Sequence, residues 1–432
     1  MRSPHTSSLH RFGFAVLSIA VLGGISACDG TTTPDDDVTP ITRLPRELSA
    51  AETAVIARST DFGLALMGRT VTRDRRPNIV LSPLSASMAL GMTLNGAAAE
   101  TFDAMRATLG FEGLSQAEIN AGYASLIDLL RDLDPAVDFT IGNAVFANEG
   151  FPFHTSFFDA VSGAFDATVE TRDFSQGSTL DAINGWADAA TDGMIPRILD
   201  ELDPNLVMLL MNAIAFDGAW TESFDPANTR SGAFQRAQGG PVNVPMMSAS
   251  NVELALGYGA GWSAVELPYG GGAYGMVVVV PAGDVRTLIA GWDASDWSAV
   301  LASLNPQEVD LVSIPRFRLA YDAFLNPVLD DMGMGVAFRP GADFSNLSPR
   351  GNELCIDFVR QKTFIEVDEV GTRAAAVTTV GIGPTSFTGV VADRPFFFAL
   401  RERLSGTLLF TGIIGDPTIE ESGPDAGEGS CS

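Results

Sequence analysis

The chain predicts an α+β fold from three observations. Helical patterns crowd its first half and strand-like runs its second, and the two do not alternate as parallel βαβ units would. Of 432 residues, 46% are apolar and 18% charged, a composition suited to a sizeable core. Length alone leaves open one large domain or two to three ordinary ones.

Ser49 is a suitable N-cap for a first helix whose apolar residues recur through Leu64, Ala65 and Leu66. Further helices are expected around Ser85–Leu94, Ala99–Leu109, Ser115–Leu133, Phe153–Phe165 and Thr179–Thr191. Strands are expected at Phe139–Ala147, Leu206–Ala215, Ala264–Leu267, Gly275–Pro281, Val309–Ile314 and Thr363–Val367. The glycines of Gly257-Tyr-Gly259-Ala-Gly261 read as a loop, because a dinucleotide site needs a strand-to-helix context.

Both ends differ from this body. Arg2 and Arg11 precede an apolar run from about Phe12 to Ile25, too short for a stable membrane anchor. Its end, Ile25-Ser26-Ala27-Cys28, resembles a bacterial lipoprotein processing site, cut before Cys28 and lipidated there. The alternative is an ordinary secretory signal with a chance cysteine; both imply export, to a bacterial envelope, periplasm or cell surface. Residues 1–27 are thus expected as signal, 28–44 as a disordered acidic tether, 45–417 as the folded domain and 418–432 as a disordered acidic tail. Cys355 and Cys431 would meet a compartment that permits a disulfide, but their spacing does not pair them.

Net charge is −27, with 53 acidic against 26 basic residues, and Lys362 is the only lysine. That balance opposes nucleic-acid binding. Of three histidines, His5 and His10 fall in the signal, leaving His154 near a helix start. A Ser-His-Asp hydrolase would have to use this one imidazole, and no G-x-S-x-G elbow accompanies it. No metal motif occurs either, so neither an enzyme nor a cofactor is expected.

From Asp368 to Phe398 the chain reads DEVGTRAAAVTTVGIGPTSFTGVVADRPFFF, with Arg373 the one charge between Glu369 and Asp393. It is too apolar for a solvated linker and too small-residued for an ordinary core strand. Phe364-Ile365-Glu366-Val367-Asp368-Glu369-Val370-Gly371-Thr372-Arg373-Ala374-Ala375-Ala376 resembles the hinge of a serpin's reactive-centre loop, and Asp393-Arg394-Pro395-Phe396 the strand after it. The resemblance spans roughly residues 45–417 in order. It includes Asn78-Ile-Val-Leu-Ser82-Pro83-Leu-Ser85, Asn212-Ala-Ile-Ala-Phe216-Asp-Gly218-Ala-Trp220, Val244-Pro245-Met246-Met247, Glu266-Leu267-Pro268-Tyr269, Ile314-Pro315-Arg316-Phe317 and Asp343-Phe344-Ser345.

The resemblance implies a serpin fold of three β-sheets and about nine helices with an exposed bait loop. It also implies a monomeric suicide-substrate inhibitor: a target protease cuts the loop, and the cut loop inserts into the large sheet while still bound to the enzyme. Ser82, Ser85, Asn212 and Gln361 fall in the region where that sheet opens. Gln361 stands where most serpins carry a histidine that bonds the residue matching Asn212. A glutamine still donates and accepts but does not titrate near neutrality. Arg373 stands where glutamate is usual, and Met194 where lysine is usual. Glu369 and Arg316 are expected to pair above the sheet, over Trp220.

Strand side chains alternate faces. Thr372, Ala374, Ala376 and Thr378 form one small-residue set, while Arg373, Ala375 and Val377 fall on the other, so the odd charge can face solvent as the loop enters a sheet. With Gly371, these residues form the expected hinge. Counting in family register places the scissile bond at Thr385–Ser386, after Pro384, with a bond one residue earlier or at Phe387–Thr388 as alternatives. Thr385 suits the shallow pocket of an elastase- or subtilisin-like serine protease, and no Arg or Lys lies between Arg373 and Arg394 to attract a trypsin-like one. Cysteine proteases are a further target class. The competing expectation is a non-inhibitory serpin that binds or chaperones other molecules.

Overall fold

The structure, a computed structural model, describes residues 40–371 and 388–423. The expected signal, most of the tether, the loop from Thr372 to Phe387 and the last nine residues lie outside that range. Nine α-helices and seventeen strands make up the described part, in an α+β arrangement.

The first helix, Ala50–Arg73, starts where its cap predicts. Ser49 accepts from the Glu52 backbone N–H, and the Glu52 carboxylate reaches back to the Ser49 N–H, satisfying two otherwise orphaned donors. The other expected helices form with shifted ends. Pro83–Leu94 begins earlier than expected because Ser82, not a later residue, caps it. Gln116–Leu130 stops short of Leu133 because Arg131 turns extended. Two short helices, Val285–Ala290 and Ala294–Ser303, were not legible as periodic runs.

A seven-stranded sheet runs in the order Ile79–Leu81, Leu408–Ile414, Phe396–Glu402, Tyr274–Pro281, Trp262–Tyr269, Val252–Gly259, Asn305–Val309. Phe396, Phe397 and Phe398 are fully buried, so this strand, which follows the segment expected as bait, sits in the core. The run expected as one strand over Val309–Ile314 is broken at Asp310 into two strands of different sheets. There the Asp310 N–H donates to the Thr388 carbonyl, and the Thr388 N–H donates to the Asp310 carboxylate. The second piece, Leu311–Pro315, pairs in parallel with Gly389–Val391, so the far end of the loop is anchored here. Pro241–Ala249 and Arg230–Gln235 complete that four-stranded sheet. Gly257 and Gly259, expected in a loop, finish a strand, and Gly261 supplies the left-handed turn after it at φ +85°.

The remaining strands form two three-stranded sheets. One holds Thr168–Arg172, Val137–Asn148 and Met208–Gly218; the other holds Arg360–Val367, Phe317–Phe324 and Glu421–Ser422. The family resemblance counts three sheets, whereas hydrogen bonding among the described residues defines four. The difference is a seam between Met208–Gly218, here the Asn212 strand, and Arg360–Val367, the Gln361 strand. The chain also stays paired beyond Pro417, through Ser422, whereas the tail was expected to be disordered from 418.

Candidate functional site

The seam is a cleft of about 450 Å³ lined on one side by Met208–Ala213 and on the other by Arg360, Gln361 and Lys362. Each inner strand ends its sheet, so each turns one unpaired edge toward the other. Such edges are templates for a further strand. Ser85, Ala86, Ala89 and Leu90 of the helix behind line the cleft, as do Ala187, Thr191, Ile195 and Ile198. Lys362 Nζ donates to the Arg197 carbonyl at 3.1 Å, tying the Gln361 strand to the segment that lines the other side.

Above the seam the two halves are joined. The Trp220 N–H donates to the Val370 carbonyl at 2.8 Å and the Phe224 N–H to the Glu369 carbonyl at 2.7 Å. Trp220 Nε1 adds a bond to the Asp368 carbonyl at 2.9 Å, and its ring stacks on Tyr269 with centroids 4.1 Å apart. Arg316 Nη2 lies 2.6 Å from both Glu369 carboxylate oxygens, so the expected pair forms. Burial pushes the Glu369 carboxyl up, but hydrogen bonds from Thr229 and Arg316 outweigh it and hold it below the ordinary glutamate value. Thr229 was not picked from the sequence, and Tyr269 and Asp368 stood there only inside longer family motifs, since nothing local marks a residue that meets its partner only across the fold.

Gly371 is the last described residue before the bait segment. Its φ is +92°, and a Cβ there would collide with the Gly218 oxygen and the Trp220 nitrogen. Glycine is therefore required twice, by the left-handed backbone and by the close approach. The chain leaves the sheet at the top of the cleft, beside the end of the Asn212 strand. Thr372, Ala374, Ala375, Ala376 and Thr378 of the expected hinge, the candidate bonds around Pro384, Thr385, Ser386 and Phe387, and Cys28 lie outside the described residues.

Where the resemblance expects the sheet to open, Gln361 does not make the bond to Asn212 that most serpins make with a histidine. Its Oε1 accepts from the Ser82 N–H at 3.0 Å and its Nε2 donates to the Ser82 carbonyl at 2.9 Å. A side-chain amide matches a backbone amide on both donor and acceptor, which a histidine ring cannot do at one residue. Asn212 Nδ2 donates instead to Asn143 Oδ1 at 2.8 Å, its neighbour in strand register, and to Met88 Sδ of the Pro83–Leu94 helix at 3.6 Å. Among the described residues the Asn212 Oδ1 has no hydrogen-bond partner. Ser82 also donates to the Leu409 carbonyl and caps Ser85, and Thr363 Oγ1 donates to the Val80 carbonyl at 2.8 Å. The Gln361 strand is thus latched to the segment entering the Pro83 helix, while the Asn212 side chain bonds its neighbouring strand and Met88 on the body of that helix.

His154 precedes the helix Thr155–Phe165 without a side-chain capping bond, and its backbone N–H donates to the Leu347 carbonyl. No group of three or more potential metal ligands occurs among the described residues.

A split sheet with the glycine-ended stem of the Gln361 strand rooted above the split sets the class of fold. The family described as Serpin (serine protease inhibitor) matches residues 57–417, and the chain belongs to that family. It is 28% identical over 384 residues to neuroserpin of Homo sapiens, covering 84% of this chain and 92% of that one. It is 29% identical over 373 residues to a serine protease inhibitor of Mus musculus, covering 83% and 88%. The native-state structure of the thermophilic serpin tengpin superimposes with a TM-score of 0.76 at 30% identity, covering 88% and 97%. Human thyroxine-binding globulin, solved in complex with thyroxine, gives 0.76 at 28% identity, covering 86% and 100%.

Proposed function

We propose that this chain is an inhibitory serpin that traps an elastase- or subtilisin-like serine protease, with cysteine proteases as a second target class. The observation that carries the reading is the seam: two inner strands with unpaired edges, and the stem of a small-residue loop fixed at the seam's upper end. The protease's nucleophilic oxygen attacks the carbonyl carbon of Thr385, the peptide bond to Ser386 breaks, and the new amine leaves with a proton. The loop, still esterified to the enzyme and still continuous with Gly371, enters the cleft as a strand.

The Asn212 strand offers eleven residues of edge. An inserted strand of about eight to ten residues makes on the order of ten backbone hydrogen bonds, roughly 10 kcal/mol in all. That matches the whole stability of an ordinary domain, so insertion is effectively irreversible and the ester is carried away from the site of attack. Export and attachment to a bacterial envelope through lipidated Cys28, as a monomer, belong to the same reading. The similarity to the murine serine protease inhibitor supports it.

The test is to mix the mature protein with elastase-, subtilisin- and chymotrypsin-type enzymes and to look for a denaturant-resistant complex. Mass spectrometry of the released C-terminal peptide identifies the bond. The similarity to thyroxine-binding globulin favours a second reading, a serpin that binds or chaperones rather than inhibits. Loop cleavage without complex formation supports that one.

A further inference from the structure

The family match begins at residue 57, but the fold begins earlier. Residues 40–48 precede the first helix, and 40–44 were expected to belong to the tether. Ile41 and Leu48 nevertheless pack against the core, and the stretch is hydrogen-bonded to the fold at two points. Nearer the helix, Arg46 holds both oxygens of Glu52, a fully buried carboxylate, at 2.7 and 2.9 Å. Its Nη2 also donates to the Ser125 carbonyl at 2.9 Å and to Ser125 Oγ at 3.1 Å. Glu52 belongs to Ala50–Arg73 and Ser125 to Gln116–Leu130, so one guanidinium fork ties the two helices.

The second point is the Ile41 N–H, which donates to the Gly271 carbonyl at 2.7 Å. Gly271 is the middle of Gly270-Gly271-Gly272, in the turn between Trp262–Tyr269 and Tyr274–Pro281. Gly270 and Gly272 have φ of +50° and +92°, values that suit glycine. Asp134, only 2% exposed, accepts from the Gly271 and Ala273 N–H groups. It follows the Gln116–Leu130 helix, whose Leu130 carbonyl accepts from the Tyr274 hydroxyl at 3.1 Å. Arg46 and Ile41 therefore hold opposite sides of one platform, made of that helix and the glycine turn.

The turn in turn adjoins the top of the seam. The Gly270 N–H donates to the Ala219 carbonyl at 2.8 Å, and Thr221 Oγ1 donates to the Gly270 carbonyl at 2.8 Å. Trp220 lies between Ala219 and Thr221, stacks on Tyr269 and donates its N–H to the Val370 carbonyl. Three backbone hydrogen bonds thus run in series from Ile41 to Gly271, from Gly270 to Ala219 and from Trp220 to Val370, with one peptide unit between each.

We infer that residues 40–48 are a brace on the closed top of the seam. They fix the glycine turn, the turn fixes the Ala219-Trp220 backbone, and that backbone holds the stem ending at Gly371. Pulling or releasing this stretch loosens the stem, so opening of the seam is governed from the N-terminal side of the fold as well as from the stem itself. The brace acts on the seam whether or not a protease is trapped there, and its test uses no protease.

Two variants of the full chain carry that test. Ile41→Pro removes the N–H that reaches Gly271, in a stretch that already holds Pro40 and Pro45. Arg46→Met keeps an apolar stem but deletes the bonds to Glu52 and Ser125. Amide hydrogen exchange should be several-fold faster at Gly270 and Trp220 in both variants and unchanged in the strand Leu408–Ile414. Native exchange at Gly270 and Trp220 overturns the brace, and so does equal acceleration in Leu408–Ile414, which reports general loosening. Should Arg46→Met fail to fold, Ile41→Pro decides alone, because it leaves the buried Glu52 pair in place.

Discussion

The Arg316 guanidinium and the Glu369 carboxylate meet at 2.6 Å, 53 residues apart in sequence, just past the end of the Gln361 strand. Glu369 is nearly fully buried and Arg316 about half exposed. The pair therefore works as a partly wet clasp, with Thr229 holding the carboxylate from the other side.

Arg316→Ala removes the clasp and leaves a buried carboxylate with fewer donors. The expected loss is about 1–3 kcal/mol of stability, read by chemical denaturation. Glu369→Lys places a second cation against Arg316 and should promote spontaneous loop insertion or polymerisation. Unchanged monomer yield and melting temperature for both variants would count against the clasp.

Acid should destabilise the protein through a second carboxylate. Burial by itself pushes Glu52 up, but hydrogen bonds from Arg46 and Ser49 prevail and hold it at about 2 against an ordinary 4.5. The folded value lies below the unfolded one, so this contribution is complete above pH 4.5 and fades as pH falls toward 2. Its size is about 3 kcal/mol; Glu369 adds to it with the same sign. Denaturation at about pH 7 and about pH 3 should show the loss, and Arg46→Ala should shrink the difference.

Gln361→Leu is nearly the same size but leaves the buried Ser82 N–H without its acceptor, while the Ser82 carbonyl keeps the Ala86 N–H. A cost of roughly 1–3 kcal/mol is expected for the unpaired N–H. Gln361→His should introduce a pH dependence between about 5.5 and 7.5 in the rate of the proposed loop insertion, where none is expected of the native chain. Stopped-flow fluorescence across that range checks both statements, and a native chain that itself changes with pH there would refute the second.

Gly371→Ala forces a side chain into a left-handed backbone already in contact with Gly218 and Trp220. The expected effect exceeds about 1 kcal/mol and should appear as a lower melting temperature.

Thr372→Arg acts later, at insertion. A charge turned toward the core should slow entry of the cut loop, so the protease cleaves the variant as a substrate. A normal yield of stable complex from Thr372→Arg would refute the assigned register.

Much of this was legible in the chain. The cap at Ser49, the helix at Pro83–Leu94 and the strand alternation near Arg360–Val367 are local patterns, and local patterns survive in one dimension. The split of Val309–Ile314 was not legible, because Asp310 is pulled aside by Thr388, 78 residues away. The partner of Gln361 was not legible for a related reason. A glutamine suits several partners, and only its position beside the Ser82 backbone decides that a backbone amide takes it.

By itself the sequence determined the α+β class, the family, and the small-residue loop with its glycine hinge, since size, charge and backbone freedom belong to each residue wherever it sits. Tertiary structure alone decided that the sheet is split beneath that hinge, that Gln361 takes the Ser82 backbone while Asn212 takes Asn143 and Met88, and that Glu421 and Ser422 pair at the outer edge. These are relations between edges brought together from distant parts of the chain. Backbone N–H and C=O groups are the same in nearly every residue, so only packing decides which of them remain unpaired.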